Sequence, residues 1–203
     1  MTGAQLAAFA AQCAQSGMRY WMGACCYPCT EALYRSKKAQ YPSHYGSART
    51  AQYRRDIAAG ASCADCAGLI KGAAWTELGA HAARYKSGGC PDLGADGLYR
   101  WCIREGMLSG GMGALPETPG LLLHKPGHVG VYIGGGEAVD ARSFAAGVVK
   151  GPVSAAGWTD WARLPFVDYA AADSFVYGAM RLSRAEAAAL RDALNAFLAE
   201  GAP

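Results

Sequence analysis

The chain lacks an apolar run as long as a membrane span, and no basic residue precedes Arg19. A spanning helix needs about 20 predominantly apolar residues, and a secretory signal peptide begins with a positively charged region. We therefore expect no membrane span and no signal peptide. The protein is accordingly expected to be synthesised in the cytoplasm.

Charge is also scarce, at 17% charged residues with a formal net charge of +3. A dedicated nucleic-acid binder carries a clear basic excess, so this balance argues against nucleic acid as a partner. Acids are absent between Ala32 and Arg55, however. Two interpretations of that segment stay open, a solvated loop or a basic, aromatic surface that meets an anionic polymer or a peptide carboxylate. Its basic residues and tyrosines are Arg35, Lys37, Lys38, Arg49, Arg54 and Arg55, and Tyr34, Tyr41, Tyr45 and Tyr53.

Cysteine is plentiful, with eight residues, but the usual metal and disulfide patterns are missing. Cytoplasmic thiols stay reduced, so we do not expect a disulfide framework. Cys26 and Cys29, next to Cys25, have Cys-x-x-Cys spacing, but no second pair completes a zinc site. We therefore predict no metal and no cofactor. Cys63 and Cys66 share the same spacing, which leaves a thioredoxin-type redox site open.

Cys66 has the most informative sequence context. Residues 64–72 read Ala-Asp-Cys-Ala-Gly-Leu-Ile-Lys-Gly, and the apolar residues after the cysteine recur at helical spacing. This pattern places Cys66 in the first turn of a helix, where free N–H groups and the helix dipole favour a thiolate. We expect a nucleophile that is reactive near neutral pH. Taken alone, an inert buried cysteine is the alternative.

A partner for this cysteine lies in residues 126–142, which alternate around three glycines and predict a β-hairpin. If Gly134 to Gly136 form a three-residue loop, His128 and Asp140 point to the same face of the sheet. A two-residue loop would place them on opposite faces. A histidine and an acid on one face, with a cysteine at a helix start, fit the roles of base, orienting acid and nucleophile.

These two segments resemble the paired signature of the NlpC/p-sixty cysteine peptidases, papain-like enzymes that cut the stem peptides of bacterial peptidoglycan. Residues 20–23, Tyr-Trp-Met-Gly, are similar to the family's Tyr-x-x-Gly segment, and residues 119–123 resemble its strand before the histidine. The resemblance runs from Tyr20 to Tyr169. It is strongest to Firmicutes phage and prophage members, which share Gly-Leu-Ile-Lys, Pro-Glu-x-Pro-Gly and a closing Trp-x-x-Trp, here Trp158 to Trp161.

Three positions depart from the common family pattern. Asp140 stands where His, Asn or Gln is usual, in an Asp-Ala-Arg context that resembles the Glu-Ala-Arg of phage-type members. A carboxylate can still fix the imidazole tautomer and stabilise the imidazolium. Ala67 replaces a common serine and Leu121 a common aspartate, and neither change removes a group of the triad.

The resemblance implies an α+β, papain-like fold in which N-terminal helices and the Cys66 helix pack on an antiparallel sheet. Residues 1–169 would form the catalytic domain. Residues 170–203 are expected to be a linker and a C-terminal helix, packed on the domain or leading to a wall-binding module. We expect a monomer. At the other end, Thr2 and Gln5 form a predicted capping box that opens the first helix.

The implied activity is hydrolysis of an amide bond in a peptidoglycan stem, expected between D-glutamate and the diamino acid. Cys66 would attack the carbonyl, His128 would take up or hold the thiol proton, and water would hydrolyse the acyl-enzyme. Backbone N–H groups at the helix start, with Tyr20, Trp21 and Asp65, are the expected oxyanion and substrate contacts.

Other functions remain open. An N-acetylmuramoyl-alanine amidase or an acyltransferase could use the same triad, and an inactive wall-binding module would keep the fold without the chemistry. A wall enzyme without a signal peptide would reach its substrate through a phage holin, cell lysis or a phage tail. If His128 is not the base, His44, His81 and His124 are the other candidates.

Overall fold

The computed structural model describes residues 1–76, 85–169, 174–177, 180–183, 186 and 188–192. The chain divides into two compact units, Met1–Val167 and Asp168–Pro203. Among the residues in these described ranges, none forms a helix long and apolar enough to span a bilayer.

The first unit begins with the predicted capping box. The Thr2 hydroxyl accepts the Gln5 N–H at 3.2 Å, and the Gln5 side chain accepts the Thr2 N–H at 2.8 Å. This reciprocal pair satisfies two N–H groups that the helix start leaves without partners. The helices described in this unit are α1 (Gly3–Gln15), α2 (Glu31–Gln40), α3 (Thr50–Ala58), α4 (Cys66–Trp75) and α5 (Ala95–Arg104). Single 3₁₀ turns lie at Ser47–Arg49, Met112–Ala114 and Val153–Ala155.

Two sheets complete the first unit. The small sheet contains β1 (Arg19–Tyr20), β2 (Cys25–Pro28) and β3 (Ser62–Ala64), in the order β1-β3-β2 with β1 parallel to β3. The large sheet contains β4 (Ser109–Gly111), β5 (Leu122–Lys125), β6 (His128–Gly134), β7 (Glu137–Ser143), β8 (Gly147–Pro152) and β9 (Asp160–Ala162). Its order is β4-β9-β5-β6-β7-β8, and every neighbouring pair is antiparallel.

Helix α4 occupies the centre of this arrangement. It contacts β6 and β7 of the large sheet, β2 of the small sheet, and both α1 and α5. All its residues except Cys66 and Ala74 are buried, as expected for a helix that is apolar on every side. A side chain at Gly68 would place Cβ 1.8 Å from the Ala24 carbonyl oxygen, so glycine permits the close approach to the backbone directly before β2. The α+β fold, with the Cys66 helix on an antiparallel sheet, is confirmed.

The turn between β6 and β7 differs from the prediction. Gly134 pairs with Glu137, so the loop contains two residues, Gly135 and Gly136, and not three. Both loop residues have positive φ, at 61° and 73°, which glycine adopts without steric cost. Two-residue hairpin turns require this conformation at both positions when they are of type I′.

A β-bulge next to this turn restores the register that the three-residue loop would have given. The register shifts between Tyr132 and Gly134, and beyond the shift Tyr132 pairs with Ala138. The extra residue on β6 changes the parity of the pairing by one. His128 and Asp140 therefore share a face, as predicted, although a bulge and a tight turn produce the result together.

The tyrosines of the basic segment form part of the core. Tyr34, Tyr45 and Tyr53 are buried around the fully buried Trp21. The ring of Trp21 lies 4.9 Å from that of Tyr53 in edge contact, and its Nε1 donates to Asp56 at 2.9 Å. The predicted aromatic binding surface is therefore wrong for these three tyrosines, because their rings are buried in the core. The basic residues on the outside are Arg35, Lys38, Arg54 and Arg55.

The second unit contains a β-hairpin that the sequence did not predict. Strands β10 (Ser174–Tyr177) and β11 (Met180–Ser183) pair antiparallel. Residue 186 and residues 188–192 are helical, within the predicted C-terminal helix. Leu194 and Leu198 of that helix lie outside the described residues.

Candidate active site

Asp65 caps the helix that begins with Cys66. Its carboxylate accepts the Gly68 N–H at 2.6 Å and the Gly23 N–H at 2.7 Å. Burial raises its pKa, against the lowering effect of these backbone donors. Both oxygens thus bind backbone N–H groups in a buried position. Asp65 thus caps α4 and joins the Gly23 loop to it, and its predicted contact with substrate stays a prediction.

The Cys66 thiol does not have the predicted low pKa. Burial, with a further contribution from the Asp65 carboxylate, raises its pKa to about 11. The N–H groups of Val129, Ala67 and Cys66 itself act in the opposite direction and are outweighed. The prediction counted the helix start but not the removal of the sulfur from water, which disfavours the charged form. At neutral pH the resting group is a thiol.

The same contacts place Cys66 next to the histidine strand. The Val129 backbone N–H that reaches the Cys66 sulfur belongs to the residue directly after His128 in β6. Cys66 and His128 are both partly exposed, whereas Asp140 is buried. A ligand can therefore reach Cys66 and His128, whereas Asp140 is shielded from solvent.

Asp140 binds His128 and Arg142 together. Its Oδ2 is 2.9 Å from His128 Nε2, and its Oδ1 accepts Arg142 Nη2 at 2.9 Å. Burial favours the neutral acid, but the hydrogen bonds from His128 and Arg142 outweigh it and lower the pKa of Asp140. An ionised Asp140 can only accept hydrogen bonds, so His128 Nε2 carries a proton. The sequence analysis named Arg142 only as part of a motif and did not anticipate this ion pair.

The ring of Trp158 fixes the other side of the imidazole. It stacks on His128 with centroids 5.4 Å apart and planes inclined by 10°. Lys125 Nζ lies 5.4 Å from the Trp158 centroid and donates to the Ala156 carbonyl. A Cβ at position 130 would meet the Trp158 ring at 2.9 Å, so the strand needs Gly130 there. The sequence marked Trp158 as part of a closing motif, but only the strand order brings it to His128.

The two aromatic candidates from the Tyr-x-x-Gly segment separate in the structure. Tyr20 lies in β1, and burial raises its pKa, with further contributions from Cys66 and Asp65. Its phenol thus keeps its proton at physiological pH, and it remains a candidate hydrogen-bond donor beside the nucleophile. Trp21 is fully buried and donates to Asp56, so we assign it to the core and no longer to substrate contact.

Outside the Cys66 site, the described cysteines and histidines do not form a redox pair or a metal cluster. Cys63 is fully buried, and burial raises its pKa strongly, which disfavours a redox pair with Cys66. Across the described part of the chain, no three His, Cys, Asp or Glu side chains come together as a metal site. His124 contacts two aspartates, and His81 lies outside the described residues.

Two cavities lie at the site. One of about 280 Å³ is bounded by Lys125, His128, Asp140 and Arg142, with Ala155 and Ala156. A second of about 400 Å³ adjoins Asp65 and Ala67, the two neighbours of Cys66 in sequence, and includes Lys71 among its lining residues. One cavity thus opens onto His128, and the other opens onto the residues that flank Cys66.

Comparison with known proteins gives one distant likeness. No protein-family model and no curated protein matches the chain. The solved structure of the peptidoglycan hydrolase RipB from Mycobacterium tuberculosis is similar with a TM-score of 0.44 and 19% identity, over 82% of this chain and 67% of that one. A likeness at this distance transfers no activity, and function is argued from the site itself.

Proposed function

We propose that the protein is a cysteine peptidase that cleaves an amide bond in peptidoglycan stem peptides. The observation that carries the proposal is the 2.9 Å hydrogen bond between His128 and Asp140, on a strand whose next N–H reaches the Cys66 sulfur. These contacts support our assignment of Cys66, His128 and Asp140 as nucleophile, base and orienting acid of covalent acyl transfer. The resemblance of the two motifs to NlpC/p-sixty peptidases supplies the substrate class.

The imidazole tautomer determines which nitrogen acts as the base. Because Nε2 donates to the ionised Asp140, Nδ1 of neutral His128 is left as the acceptor for the Cys66 proton. Burial raises the thiol pKa to about 11, which favours the uncharged thiol at neutral pH and supports transfer of its proton to His128 during attack. His128 therefore acts as a general base toward Cys66, and the resulting imidazolium is stabilised by Asp140.

The remaining steps follow from the same groups. The carbon–sulfur bond forms as the proton moves to His128, and the imidazolium then protonates the leaving amine. Water hydrolyses the thioester with His128 again as base. The N–H groups at the start of α4, which include that of Cys66, are the proposed donors to the oxyanion, with Tyr20 as a side-chain donor.

The finer assignments rest on the resemblance alone. We propose a bond between D-glutamate and the diamino acid, and a phage-type or prophage-type wall hydrolase that acts as a monomer. Such an enzyme would be made in the cytoplasm and would reach the wall through a holin, lysis or a phage tail. The motifs that support this origin are the Gly-Leu-Ile-Lys of residues 68–71 and the closing Trp158 and Trp161.

Digestion of purified peptidoglycan, with mass spectrometry of the released muropeptides, tests the proposal. An endopeptidase frees an amine on the diamino acid, whereas an amidase frees lactoyl-linked stems from the glycan. We expect the first product from the wild type and no product from Cys66→Ala, which removes the attacking sulfur and little volume. Circular dichroism of Cys66→Ala serves as the control for folding. Full activity in that variant, or no cleavage by the wild type, would refute the cysteine-peptidase function.

A further inference from the structure

A second histidine, His124, lies four residues before His128 and contacts two aspartates. His124 lies in β5, with its side chain 10% exposed. Its Nε2 is 3.0 Å from Asp96 Oδ1 in α5, and its Nδ1 is 3.5 Å from Asp160 Oδ2 in β9. Tyr99 stacks on the imidazole with centroids 4.3 Å apart and planes inclined by 4°. None of these groups takes part in the mechanism above.

Asp96 connects this cluster to the backbone that carries His128. The oxygen that contacts His124 also accepts the Gly127 N–H at 2.7 Å. Gly127 has a φ of 76° in the tight turn between β5 and β6, where Lys125 pairs with His128. Gly127 directly precedes His128, so the Asp96 carboxylate fixes the turn from which the catalytic histidine projects.

Asp160 connects the cluster to the segment that carries Trp158. Thr159 donates its N–H to the His124 carbonyl at 2.9 Å and its hydroxyl to Asp160 Oδ2 at 2.7 Å. Thr159 directly follows Trp158, whose ring stacks on His128. The cluster thus binds both the backbone that supplies the His128 imidazole and the segment that packs against its face.

We propose that Asp96, His124 and Asp160 form a clamp that positions the His128 ring between Cys66, Asp140 and Trp158. This role rests on the proposed function of His128 as the base. The three residues act through His128 and do not touch the substrate, so they are positioning residues. Each ring nitrogen of His124 faces one of the two carboxylates, so the imidazole joins Asp96 in α5 to Asp160 in β9.

The test compares Asp96→Ala with Asp96→Asn in the full chain. Loss of the turn anchor should displace the His128 ring, so Asp96→Ala should lower kcat about 10- to 100-fold and leave KM within about twofold. Asp96→Asn can still accept the Gly127 N–H and should recover most of that loss. Glu137→Ala is the matched control, because Glu137 is an acid on β7 that pairs with exposed Lys150. It should leave kcat unchanged.

Two further measurements do not depend on hydrolysis. Alkylation of Cys66 by iodoacetamide at neutral pH should slow in Asp96→Ala, because the misplaced imidazole accepts the thiol proton less well. In proton NMR, the His128 Nε2–H resonance that Asp140 holds should broaden through exchange with water. Both signals should stay at their wild-type values in Glu137→Ala.

The outcomes separate the clamp from the proposed function. A wild type that cleaves no peptidoglycan refutes the function, while the alkylation and NMR measurements still test the clamp. Asp96→Ala that keeps its kcat, its alkylation rate and the His128 resonance refutes the clamp, even if its melting temperature falls. If Asp96→Ala does not fold, Asp160→Ala tests the other end of the clamp by the same measurements, and unchanged values in that variant are equally decisive.

Discussion

The position of a single proton sets the chemistry at Cys66. Because the folded protein raises the pKa of this thiol to about 11, the uncharged form dominates below that pH and the thiolate appears only as the pH approaches it. The rate of alkylation by iodoacetamide should therefore keep rising with pH through the neutral range. Mass spectrometry of labelled peptides over a pH series measures it. A plateau near neutral pH would reveal a resting thiolate–imidazolium pair in place of general-base catalysis.

The other cysteines supply internal references for that experiment. Of all eight, only Cys66 and Cys26 are partly exposed. The pKa of Cys26 is raised by its hydrogen bond with Cys13 and by burial. Cys66 should therefore be labelled before the other cysteines at every pH in the series. Equal labelling of Cys26 would show that access, and not the site, governs the rate.

Asp140 gives the second prediction for a single residue. Its role is to orient and stabilise, so Asp140→Ala should lower the rate by roughly two to four orders of magnitude and leave residual turnover. Asp140→Asn should be less damaging if orientation dominates, because the amide oxygen still accepts the His128 N–H. Steady-state kinetics of both variants separate geometry from charge.

Glu137→Ala controls for the register of the hairpin. Glu137 pairs with Lys150 next to the turn and should tolerate the change with nearly full activity. If the Glu137 variant is inactive and the Asp140 variant is active, the hairpin register is wrong by one residue. The third catalytic residue would then not be Asp140.

Sequence reasoning succeeded for residues whose placement depends on local pattern. The start of α4 at Cys66 and the shared face of His128 and Asp140 follow from helical spacing and from strand parity. It was wrong for Trp21 and for the thiol pKa, because both depend on how much water the tertiary structure removes. No spacing rule reports that quantity.

Among the elements, α4 approaches the backbone directly before β2 at Gly68. A methyl group there would lie 1.8 Å from the Ala24 carbonyl oxygen and 2.9 Å from the Asp65 carboxylate. Backbone cannot move aside as a flexible side chain can. Gly68→Ala should therefore lower the free energy of unfolding by about 3 kcal/mol or prevent folding, at the upper end of overpacking effects. Urea denaturation measures the change.

Gly113→Ala is the matched control for that substitution. A Cβ at position 113 meets no atom within 4 Å, so stability should change by less than about 0.5 kcal/mol. Equal losses in the two variants would indicate a general effect of removing glycine and not the close contact of Gly68 with the Ala24 carbonyl.

The hairpin shows why element boundaries are harder to predict than faces. Three consecutive glycines are compatible with a three-residue loop and with a two-residue turn plus a bulge, and both give the same facing residues. The sequence therefore predicted the face correctly and the turn incorrectly. The three-residue loop and the two-residue turn with a bulge differ in backbone conformation and pairing. Only the structure shows which is present, with Gly135 and Gly136 as the two turn residues, both at positive φ.

For the molecule as a whole, the sequence predicted the architecture of the first unit better than that of the second. A 203-residue chain with 52% hydrophobic residues can bury a substantial core, and helices on an antiparallel sheet do so here. The hairpin of the second unit was not predicted because each of its strands has only four residues. So short a run offers too few positions for an alternating pattern to stand out.

The raised pKa of the thiol at the head of α4 also bears on how the protein withstands oxidation. Oxidation to sulfenic and then sulfinic acid proceeds through the thiolate, so a nucleophile that rests as a thiol reacts slowly with peroxide. Reactivity appears only when a substrate is in place and the imidazole accepts the proton. Under the proposed function, a nucleophile held in this state would stay chemically intact until its substrate binds.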